Sequence, residues 1–369
     1  MDFVQGPITT LHRLDGPRAP PVDRPFAAIV PMVDRELGRT AAASVVRATL
    51  DAGARRVVVP LRADPAVAPR MAAWLSDLDP AVEVLWCNGE GVTDAISALP
   101  HRPVGKGGDV WLALGPAARD VEVVCCFDAD VRGVAATDVR RLVAPVDGEL
   151  GFVKAYYARI DRGRPFGRLF RLLYRPLVLT LARASDDPFL AYLADFRYAL
   201  AGEFAIETAA ARSWSIPNGM GLEVATLGEA YGIPGPEGVA QVDLGVHRHD
   251  HRSVTGAGGL EAIAPAVTGA LADVLERRST ASVAWPSAAT YRTTAEALVD
   301  RYARDARFNG LRYDPAAERE QVERYAEAVA APANVAWLPP WKDVDLDPEA
   351  VLRASDRSLG IATDAAGNT

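Results

Sequence analysis

The chain has few cysteines, no long apolar run and no excess of positive charge, and each absence excludes a class of protein. Three cysteines among 369 residues, two of them adjacent, provide neither a disulfide framework nor a zinc-binding spacing and suit a reducing compartment. No apolar run approaches the roughly 20 residues that cross a bilayer, and residues 1–25 lack the apolar block of a signal peptide. We therefore expect a soluble, cytoplasmic protein without a membrane partner.

Charge and length narrow the classes further. Forty basic residues against 48 acidic ones give a net charge of -8, which argues against a nucleic-acid partner. A chain of 369 residues can bury a large core, as one domain with an appended region or as two domains. We expect a flexible arm over residues 1–24, an α/β domain over 25–257, and a helical region over 258–369 with a disordered tail at 364–369.

The first half of the chain alternates between two patterns. Short runs rich in β-branched residues predict strands at residues 26–31, 57–59 and 82–86, and amphipathic segments predict helices at 37–52 and 66–78. This alternation predicts βαβ units and a parallel, Rossmann-like sheet. Later, Gly202 is expected to precede a helix that runs to about Arg212, and residues 258–330 are expected to be largely helical.

The next apolar run ends in two carboxylates one residue apart. Residues 121–127 read as a strand buried on both faces, followed directly by Asp128 and Asp130. Ligands bind beyond the carboxyl ends of strands in open α/β sheets, and paired carboxylates there can hold a divalent cation against a diphosphate. A solvated acidic turn is the alternative explanation.

A glycine-rich segment surrounds a lysine between the third strand and this run. Gly105, Gly107 and Gly108 flank Lys106, so the backbone can approach a phosphate closely, with the ammonium as a point charge and a helix N-terminus behind it. The segment lacks the spacing and the trailing Ser or Thr of a Walker loop. The alternative is a flexible loop whose lysine is solvated.

Several later residues are candidates for acceptor or metal binding, each with a structural alternative. Gly167 and Arg168 end a basic turn that can bind an anion or be merely solvated. Glu223 opens a helix, where a carboxylate also serves the helix dipole. The alternating histidines after the last strand, His247, His249 and His251, suit metal ligation or form a surface cluster. Aromatic residues line a ligand pocket or a core, namely Tyr156, Tyr157, Phe166, Phe170 and Trp214.

In their order along the chain, these motifs resemble the retaining glucosyl-3-phosphoglycerate synthases. The resemblance covers residues 26–252. It rests on six motifs, which are Gly-Lys-Gly at 105–107, Asp-Ala-Asp at 128–130, Gly167-Arg168 before Arg-Pro-Leu at 175–177, Leu-Ala-Gly-Glu at 200–203, Gly-Met-Gly-Leu-Glu ending at Glu223, and Ala-Gln-Val-Asp-Leu-Gly-Val from Ala240 with His249.

The resemblance implies a GT-A fold with a helical C-terminal extension, a homodimer, and α-retaining transfer of a hexose from a nucleotide sugar to a small acid. Asp130 and His249 would bind Mn²⁺ or Mg²⁺, and Glu223, Asp130 and Lys106 would be catalytic. The implied nucleotide-sugar residues are Pro31, Val33, Lys106, Asp128, Ala129, Asp130, Leu200 and Glu223. The implied acceptor residues are Gly167, Arg168, Tyr157, Phe170 and His251.

The chain departs from the family pattern at three places. Residues 31–36 and 60–64 replace the Pro-Ala-Leu-Asn-Glu-Glu-like and Asp-Ser-Gly-Ser-like turns that frame the base, so the donor is UDP-linked or GDP-linked. Phe170 stands where the family offers a hydroxyl to the acceptor's phosphate, and the loss of such a hydrogen bond costs about 1.5 to 3 kcal/mol. An acceptor other than 3-phosphoglycerate is therefore an alternative.

Three alternatives to this function remain. A secondary-metabolite glycosyltransferase would use a GDP-sugar and an unusual small acceptor, such as a thiol or a betaine. A nucleotidyltransferase shares the sheet architecture, but residues 31–38 contain a single glycine where that class has a glycine-rich loop. A non-catalytic nucleotide-sugar-binding protein would bind donor and metal without turnover.

Overall fold

The computed structural model describes residues 3–14, 20–249 and 259–361, except for the side chain of His249. Among the helices in these ranges, none is both long and apolar enough to cross a membrane. The strands are β1 (Thr9–Leu11), β2 (Phe26–Ile29), β3 (Met32–Val33), β4 (Val57–Arg62), β5 (Val82–Trp86), β6 (Val123–Cys126), β7 (Val131–Arg132), β8 (Phe152–Asp161), β9 (Arg164–Pro165), β10 (Phe204–Glu207), β11 (Ile216–Pro217), β12 (Val239–His249) and β13 (Trp337–Leu338). The α-helices are α1 (Thr40–Asp51), α2 (Ala68–Ser76), α3 (Glu90–Ala95), α4 (Gly105–Ala117), α5 (Ala136–Val143), α6 (Arg175–Ala184), α7 (Pro188–Asp195), α8 (Thr208–Ala211), α9 (Leu222–Gly232), α10 (Leu260–Arg278), α11 (Ala288–Phe308), α12 (Pro315–Ala330) and α13 (Pro348–Leu359).

The chain divides into two compact units, each assembled from separate segments. The β6 unit comprises residues 17–148, 203–219 and 337–369. The β8 unit comprises residues 1–16, 149–202 and 220–336. The boundaries expected from the sequence, after residues 24 and 257, do not coincide with this division, so the three-part organisation stays a prediction.

A mostly parallel sheet forms the centre of the β6 unit. Its strands lie in the order β10–β6–β2–β4–β5, and β10 alone in this series is antiparallel to its neighbour. Strands β2 and β6 are buried along their whole length, which is why they read as unbroken apolar runs. The predicted parallel α/β sheet is therefore confirmed, and the carboxyl ends of β2, β4 and β6 share one edge.

The third segment of the β6 unit begins at Trp337 and contains helix α13. Helix α13 packs on β5, α3 and α4. Trp341 stacks on Trp111 of α4 with ring centroids 5.2 Å apart, and Ser355 bonds both the amide of Trp86 and the carbonyl of Val84. The last helix of the chain is thus an integral part of the sheet's packing.

A second set of strands and most of the long helices form the β8 unit. Strands β1, β12 and β8 pair in parallel, and a bulge interrupts β12 between Asp243 and Val246. A π-helical turn, Leu169–Tyr174, leads directly into α6. Helix α10 packs against α9 and α12, and α11 packs against α6 and α12. The helices expected within residues 258–330 are present as α10, α11 and α12.

Three elements differ from the expectations. Residues 9–11 form a strand against β12, although the sequence predicts a loose arm over 1–24. Residues 204–207 form β10, because their backbone pairs with β6 across the sheet, so the helix expected to run to about Arg212 is limited to α8 (Thr208–Ala211). Helix α13 lies within the helical region expected over residues 258–369, but no individual helix was predicted beyond residue 330. The expected disorder at 364–369 lies outside the described residues.

Candidate active site

The two carboxylates that follow β6 each have a cation beside them. Lys106 Nζ lies 2.5 Å from Asp128 Oδ1, and an Arg35 terminal nitrogen lies 3.9 Å from Asp130 Oδ2. The side chains of Lys106 and Asp130 are largely buried, at 13% and 17% exposure. Ala129, between the aspartates, is buried as well. The structure therefore brings together Lys106, Asp128 and Asp130 at one sheet edge, as the sequence predicts, and adds Arg35.

The turn after β2 holds Arg35 in place. Glu36 is buried, and its carboxylate accepts one hydrogen bond from the amide of Val33 at 2.9 Å and another from Arg35 Nε at 2.6 Å. Pro31 is half-buried and Val33 is 38% exposed, so both predicted base-contacting residues lie at the surface of this edge. Local sequence offered no signal for Arg35, since its role depends on the distant Asp130.

The glycines around Lys106 allow close packing between backbones, whereas the sequence suggested that they allow a phosphate to approach. Lys106 lies in the first turn of α4, and Gly107 donates its amide hydrogen to the carbonyl of Gly219 at 2.7 Å. A Cβ on Gly107 would lie 2.1 Å from the carbonyl oxygen of Pro217. The glycines thus permit α4 to lie directly against residues 217–219, which fixes the helix that carries Lys106.

The turn after β4 is held by internal pairs. Arg62 forms a short ion pair with Asp109 of α4, with nitrogen–oxygen distances of 2.5 to 3.1 Å, and also donates to the carbonyl of Pro103. Burial raises the pKa of the Asp109 carboxyl, although Arg62 opposes that shift. Asn88 bonds both the amide and the carbonyl of Ala63. Where the sequence departs from the family turn, the loop is therefore held by its own ion pair and hydrogen bonds.

Two candidates for acceptor binding lie at element starts in the β8 unit. Glu223 is half-buried in the first turn of α9, directly after Gly221, whose φ of 107° requires glycine. Gly167 has a φ of 79°, and a Cβ there would lie 2.9 Å from the hydroxyl of Tyr198. Leu200 is half-buried beside a turn closed by a bond from the amide of Ala201 to the carbonyl of Tyr198.

Arg168 is not simply a solvated loop arginine. Its Nε lies 2.8 Å from Oε1 of Glu318, a buried residue of α12. The other carboxylate oxygen of Glu318 lies 2.7 Å from Arg171. Glu318 was not predictable from the sequence, because a glutamate in an amphipathic helix 150 residues away carries no local signal for this pairing.

The predicted acceptor aromatics pack against one another. Tyr157 stacks on His247 with centroids 4.2 Å apart, and both Tyr157 and Phe170 contact Tyr198 at 5.0 and 4.9 Å. All four side chains are buried. The four side chains form a buried aromatic cluster, and Phe170 is part of it. His251 and the side chain of His249 lie outside the described residues.

The donor set fits a hard divalent cation that also binds a substrate diphosphate. Over the described ranges, no group of three or more His, Cys, Asp or Glu side chains could hold a metal ion by itself. Asp128 and Asp130 supply carboxylate oxygens, which Mg²⁺ and Mn²⁺ prefer, and such ions commonly complete their coordination with phosphates and water. Oxygen chemistry at this edge is therefore compatible with the predicted metal.

Comparison with known proteins identifies relatives, although no family model matches the chain. Glucosyl-3-phosphoglycerate synthase of Methanococcoides burtonii is 30% identical over 360 residues, which cover 89% of this chain and 88% of the relative. The enzyme of that name from Persephonella marina is 30% identical over 272 residues, covering 69% and 67%.

Solved structures agree on the fold. A Mycobacterium tuberculosis glucosyl-3-phosphoglycerate synthase with Mn²⁺, UDP-glucose and phosphoglyceric acid matches with a TM-score of 0.55 at 23% identity, covering 74% of this chain and 89% of that one. The same enzyme with Mg²⁺ and UDP matches with a TM-score of 0.53 at 24% identity, covering 73% and 86%. The predicted GT-A fold is confirmed, and the chain belongs to the glucosyl-3-phosphoglycerate synthase family of glycosyltransferases.

Proposed function

We propose that the chain is a metal-dependent, retaining glycosyltransferase that moves glucose from UDP-glucose to 3-phosphoglycerate. The relatives' shared name and the ligands of the mycobacterial structures support these substrates. One observation in this chain carries the proposal: two carboxylates, each beside a basic side chain, follow the central strand β6 at the edge where α/β enzymes bind nucleotides.

On the donor side, charge complementarity favours a nucleoside diphosphate. Lys106 and Arg35 would contact the diphosphate oxygens, and Asp130 would hold the metal together with His249, with Asp128 near the ribose and the metal's water shell. A bound Mn²⁺ or Mg²⁺ neutralises the negative charge that develops on the leaving diphosphate. Lys106 is fixed by the close packing of α4, so it would stabilise that charge without first being reoriented.

On the acceptor side, the proposed roles fall to Glu223, Arg168 and the loop at Gly167. Arg168 would pair with an acid group of the acceptor, and Glu223 would orient the attacking hydroxyl. In a retaining transfer without a covalent enzyme intermediate, the acceptor attacks from the leaving group's side. Its proton can then pass to the departing diphosphate oxygen, and the new glycosidic bond keeps the donor's configuration.

A thermal-shift panel tests the donor assignment. UDP, GDP, ADP and dTDP are each added with and without Mn²⁺, and ligand-linked stabilisation reports the preferred base. We expect the largest shift with UDP and Mn²⁺ together. A parallel assay follows release of UDP from UDP-glucose with 3-phosphoglycerate. Metal-dependent UDP binding without transfer to any acceptor would support the non-catalytic alternative.

Two observations favour a second candidate, a glycosyltransferase with a GDP-sugar donor and an unusual small acceptor, such as a thiol or a betaine. Phe170 packs in the aromatic cluster, and its phenyl ring has no hydrogen-bond donor where the family has a hydroxyl. The internally paired Arg62 also changes a turn that frames the base. A larger shift with GDP than with UDP would favour this candidate.

Two further expectations remain proposals. A homodimer would use the amphipathic helices of the C-terminal region, and sedimentation measurements test that assembly. A cytoplasmic location agrees with the three buried thiols Cys87, Cys125 and Cys126. Neither expectation bears on the chemistry at the tip of β6.

A further inference from the structure

One face of α12 is polar although it is buried. Glu318, Gln321 and Tyr325 follow one another at intervals of three and four residues, which places them on the same side of the helix. They are 3%, 2% and 1% exposed. The amide nitrogen of Gln321 and the hydroxyl of Tyr325 have no hydrogen-bond partner in the part of the chain that the structure describes. Buried polar atoms nearly always bond to protein, water or ligand, so these two donors lack the partner that a water or a polar ligand would supply.

Glu318 bonds two arginines, Arg171 and Arg168, and it engages less of the guanidinium of Arg168. Arg171 bonds Glu318 and the carbonyl of Phe166, and its guanidinium lies 5.0 Å from the ring of Tyr302. Its side chain is 10% exposed. Arg168 bonds Glu318 through Nε alone, is 29% exposed, and its two terminal nitrogens bond to no described residue. Glu318 therefore fixes the guanidinium of Arg168 by one edge and leaves the other edge for an oxyanion.

The local charges suit an anionic group. Two arginines and one glutamate leave one positive charge uncompensated within this cluster. Burial raises the pKa of Tyr325, on which the charges of Arg168, Glu261, Glu318 and Arg171 also act, so its hydroxyl stays a neutral hydrogen-bond donor at physiological pH. Glu261 is itself paired with Arg324 at 2.7 Å. The amide nitrogen of Gln321 is a donor as well.

We propose that Arg168, Gln321 and Tyr325 form a binding site for a carboxylate or phosphate group of the acceptor, with Glu318 as the residue that positions Arg168. The proposal rests on the proposed function and extends it, because it assigns part of acceptor recognition to α12. Helix α12 lies outside every motif that the sequence analysis identified.

Tyr325→Phe tests the ligand role without enlarging a cavity. The hydroxyl donates to a charged group, so its loss should raise the acceptor KM roughly ten- to hundredfold while kcat and the donor KM change little. The Tm should stay equal or rise, because a buried hydroxyl without a protein partner is removed. An unchanged acceptor KM would mean that the hydroxyl binds only a buried water, and it would overturn the site.

Tyr174→Phe is the matched control. Tyr174 is also 1% exposed with an unpartnered hydroxyl among the described residues, but Arg175, rather than Arg168 or Glu318, is the charge that acts on it. We expect its acceptor KM to equal that of the wild type. An equal rise in both variants would show a general loss of packing and would contradict the site.

Glu318→Gln tests positioning against simple competition. If Glu318 positions Arg168, the acceptor KM rises and kcat changes little. If Glu318 merely competes with the acceptor for Arg168, the variant binds the acceptor more tightly, and that result would overturn the positioning role. Should this variant fail to fold, Arg168→Lys keeps the charge but lacks the planar fork, and its acceptor KM should also rise about tenfold or more.

Calorimetry separates this proposal from the proposed function. Wild-type protein should bind inorganic phosphate and 3-phosphoglycerate, and Tyr325→Phe should weaken both. If the wild type transfers glucose but the variants bind and react as it does, only the α12 site fails. If the wild type binds UDP and Mn²⁺ but binds and uses no anionic acceptor, both the α12 site and the 3-phosphoglycerate assignment fail.

Discussion

The carboxylates after β6 are surrounded by fixed basic groups. Lys106 is held by the packing of α4, and Arg35 is held by the buried Glu36. A nucleoside diphosphate that binds beside Asp128 and Asp130 would therefore find two basic side chains already in place.

Asp130→Ala should reduce transfer about a hundredfold or more, because the leaving diphosphate would lose a metal ligand. Metal-dependent nucleotide binding should fall with it, while the Tm of the ligand-free protein stays within a few degrees. Kinetics and titration calorimetry with and without Mn²⁺ check this. Asp94→Asn, an exposed carboxylate in the same unit, is the control. Equal metal dependence in wild type and Asp130→Ala would remove the assignment.

Asp187 predicts a pH-dependent contribution to stability. Burial disfavours its charge, but bonds from Thr280 and from the amides of Phe189 and Ala281 outweigh that effect, so its pKa lies below the ordinary 3.8. A lowered pKa stabilises the fold above pH 3.8, and this contribution is lost as the pH falls through the folded-state value. Asp187→Ala should lose about 1 to 2 kcal/mol at neutral pH.

Urea unfolding at neutral pH and below pH 3.8 measures this effect. The deficit of Asp187→Ala relative to wild type should shrink as the solution is acidified. Asp186→Ala, its exposed neighbour, should show little deficit at either pH. A deficit that is independent of pH would assign the loss to packing rather than to the charge.

Single residues were predictable where the chemistry is local in sequence. Asp128 directly follows a predicted strand, and Lys106 lies in a glycine-rich segment, so both are recognisable in the sequence. Arg35 and Glu318 do not, because each acquires its role from a partner distant in sequence, Asp130 or Arg168. Ion pairs of this kind depend on tertiary structure, which a local pattern does not contain.

Helix α4 is the element on which the position of Lys106 depends. Gly107 in its first turn touches the backbone of residues 217–219. An ordinary glycine-to-alanine change in a helix stabilises by nearly 1 kcal/mol. Here the added methyl group would overlap the Pro217 carbonyl, so the helix must shift.

Gly107→Ala should therefore destabilise the protein by about 1 to 3 kcal/mol and weaken nucleotide binding, because the helix that carries Lys106 moves. Denaturant unfolding and calorimetry with UDP measure the two effects. An unchanged or higher stability would show that α4 does not lie against this segment in solution.

Strands and helices with a strong hydrophobic periodicity were predictable from the sequence. Segments whose conformation depends on pairing with a distant strand were less predictable. Strands β2, β4, β5 and β6 appear as the sequence predicts. Residues 204–207 carry a helix-compatible composition, yet their backbone groups bond to β6, and tertiary context outweighs propensity. The short β1 was missed for the same reason, since three residues show no period of their own.

The two units are not successive domains, because the segments of one alternate along the sequence with the segments of the other. The β6 unit contains residues from the start, the middle and the end of the sequence. Glycines lie at several of the crossings, such as Gly148, Gly202 and Gly219, but single turn residues of this kind do not show which segments pack together. The end of the chain consequently contributes to the unit that carries Asp128 and Asp130.

Trp341 makes this contribution testable. It is 3% exposed, stacks on Trp111, and donates its indole hydrogen to the carbonyl of that residue at 2.5 Å. Trp341→Ala should cost about 3 to 5 kcal/mol of stability and reduce the fraction of protein that binds UDP. Ile361→Ala, at an exposed position near the same terminus, should change stability little. Equal stabilities of the two variants would mean that the C-terminal segment is not packed on α4.

Crystals grown with UDP and Mn²⁺ test the central claim most directly, because anomalous scattering locates manganese independently of the protein coordinates. We predict one strong anomalous peak within coordination distance of Asp130, with the diphosphate of UDP bound between that peak and Lys106. A structure with UDP bound elsewhere, or with no manganese beside Asp130, would contradict the account.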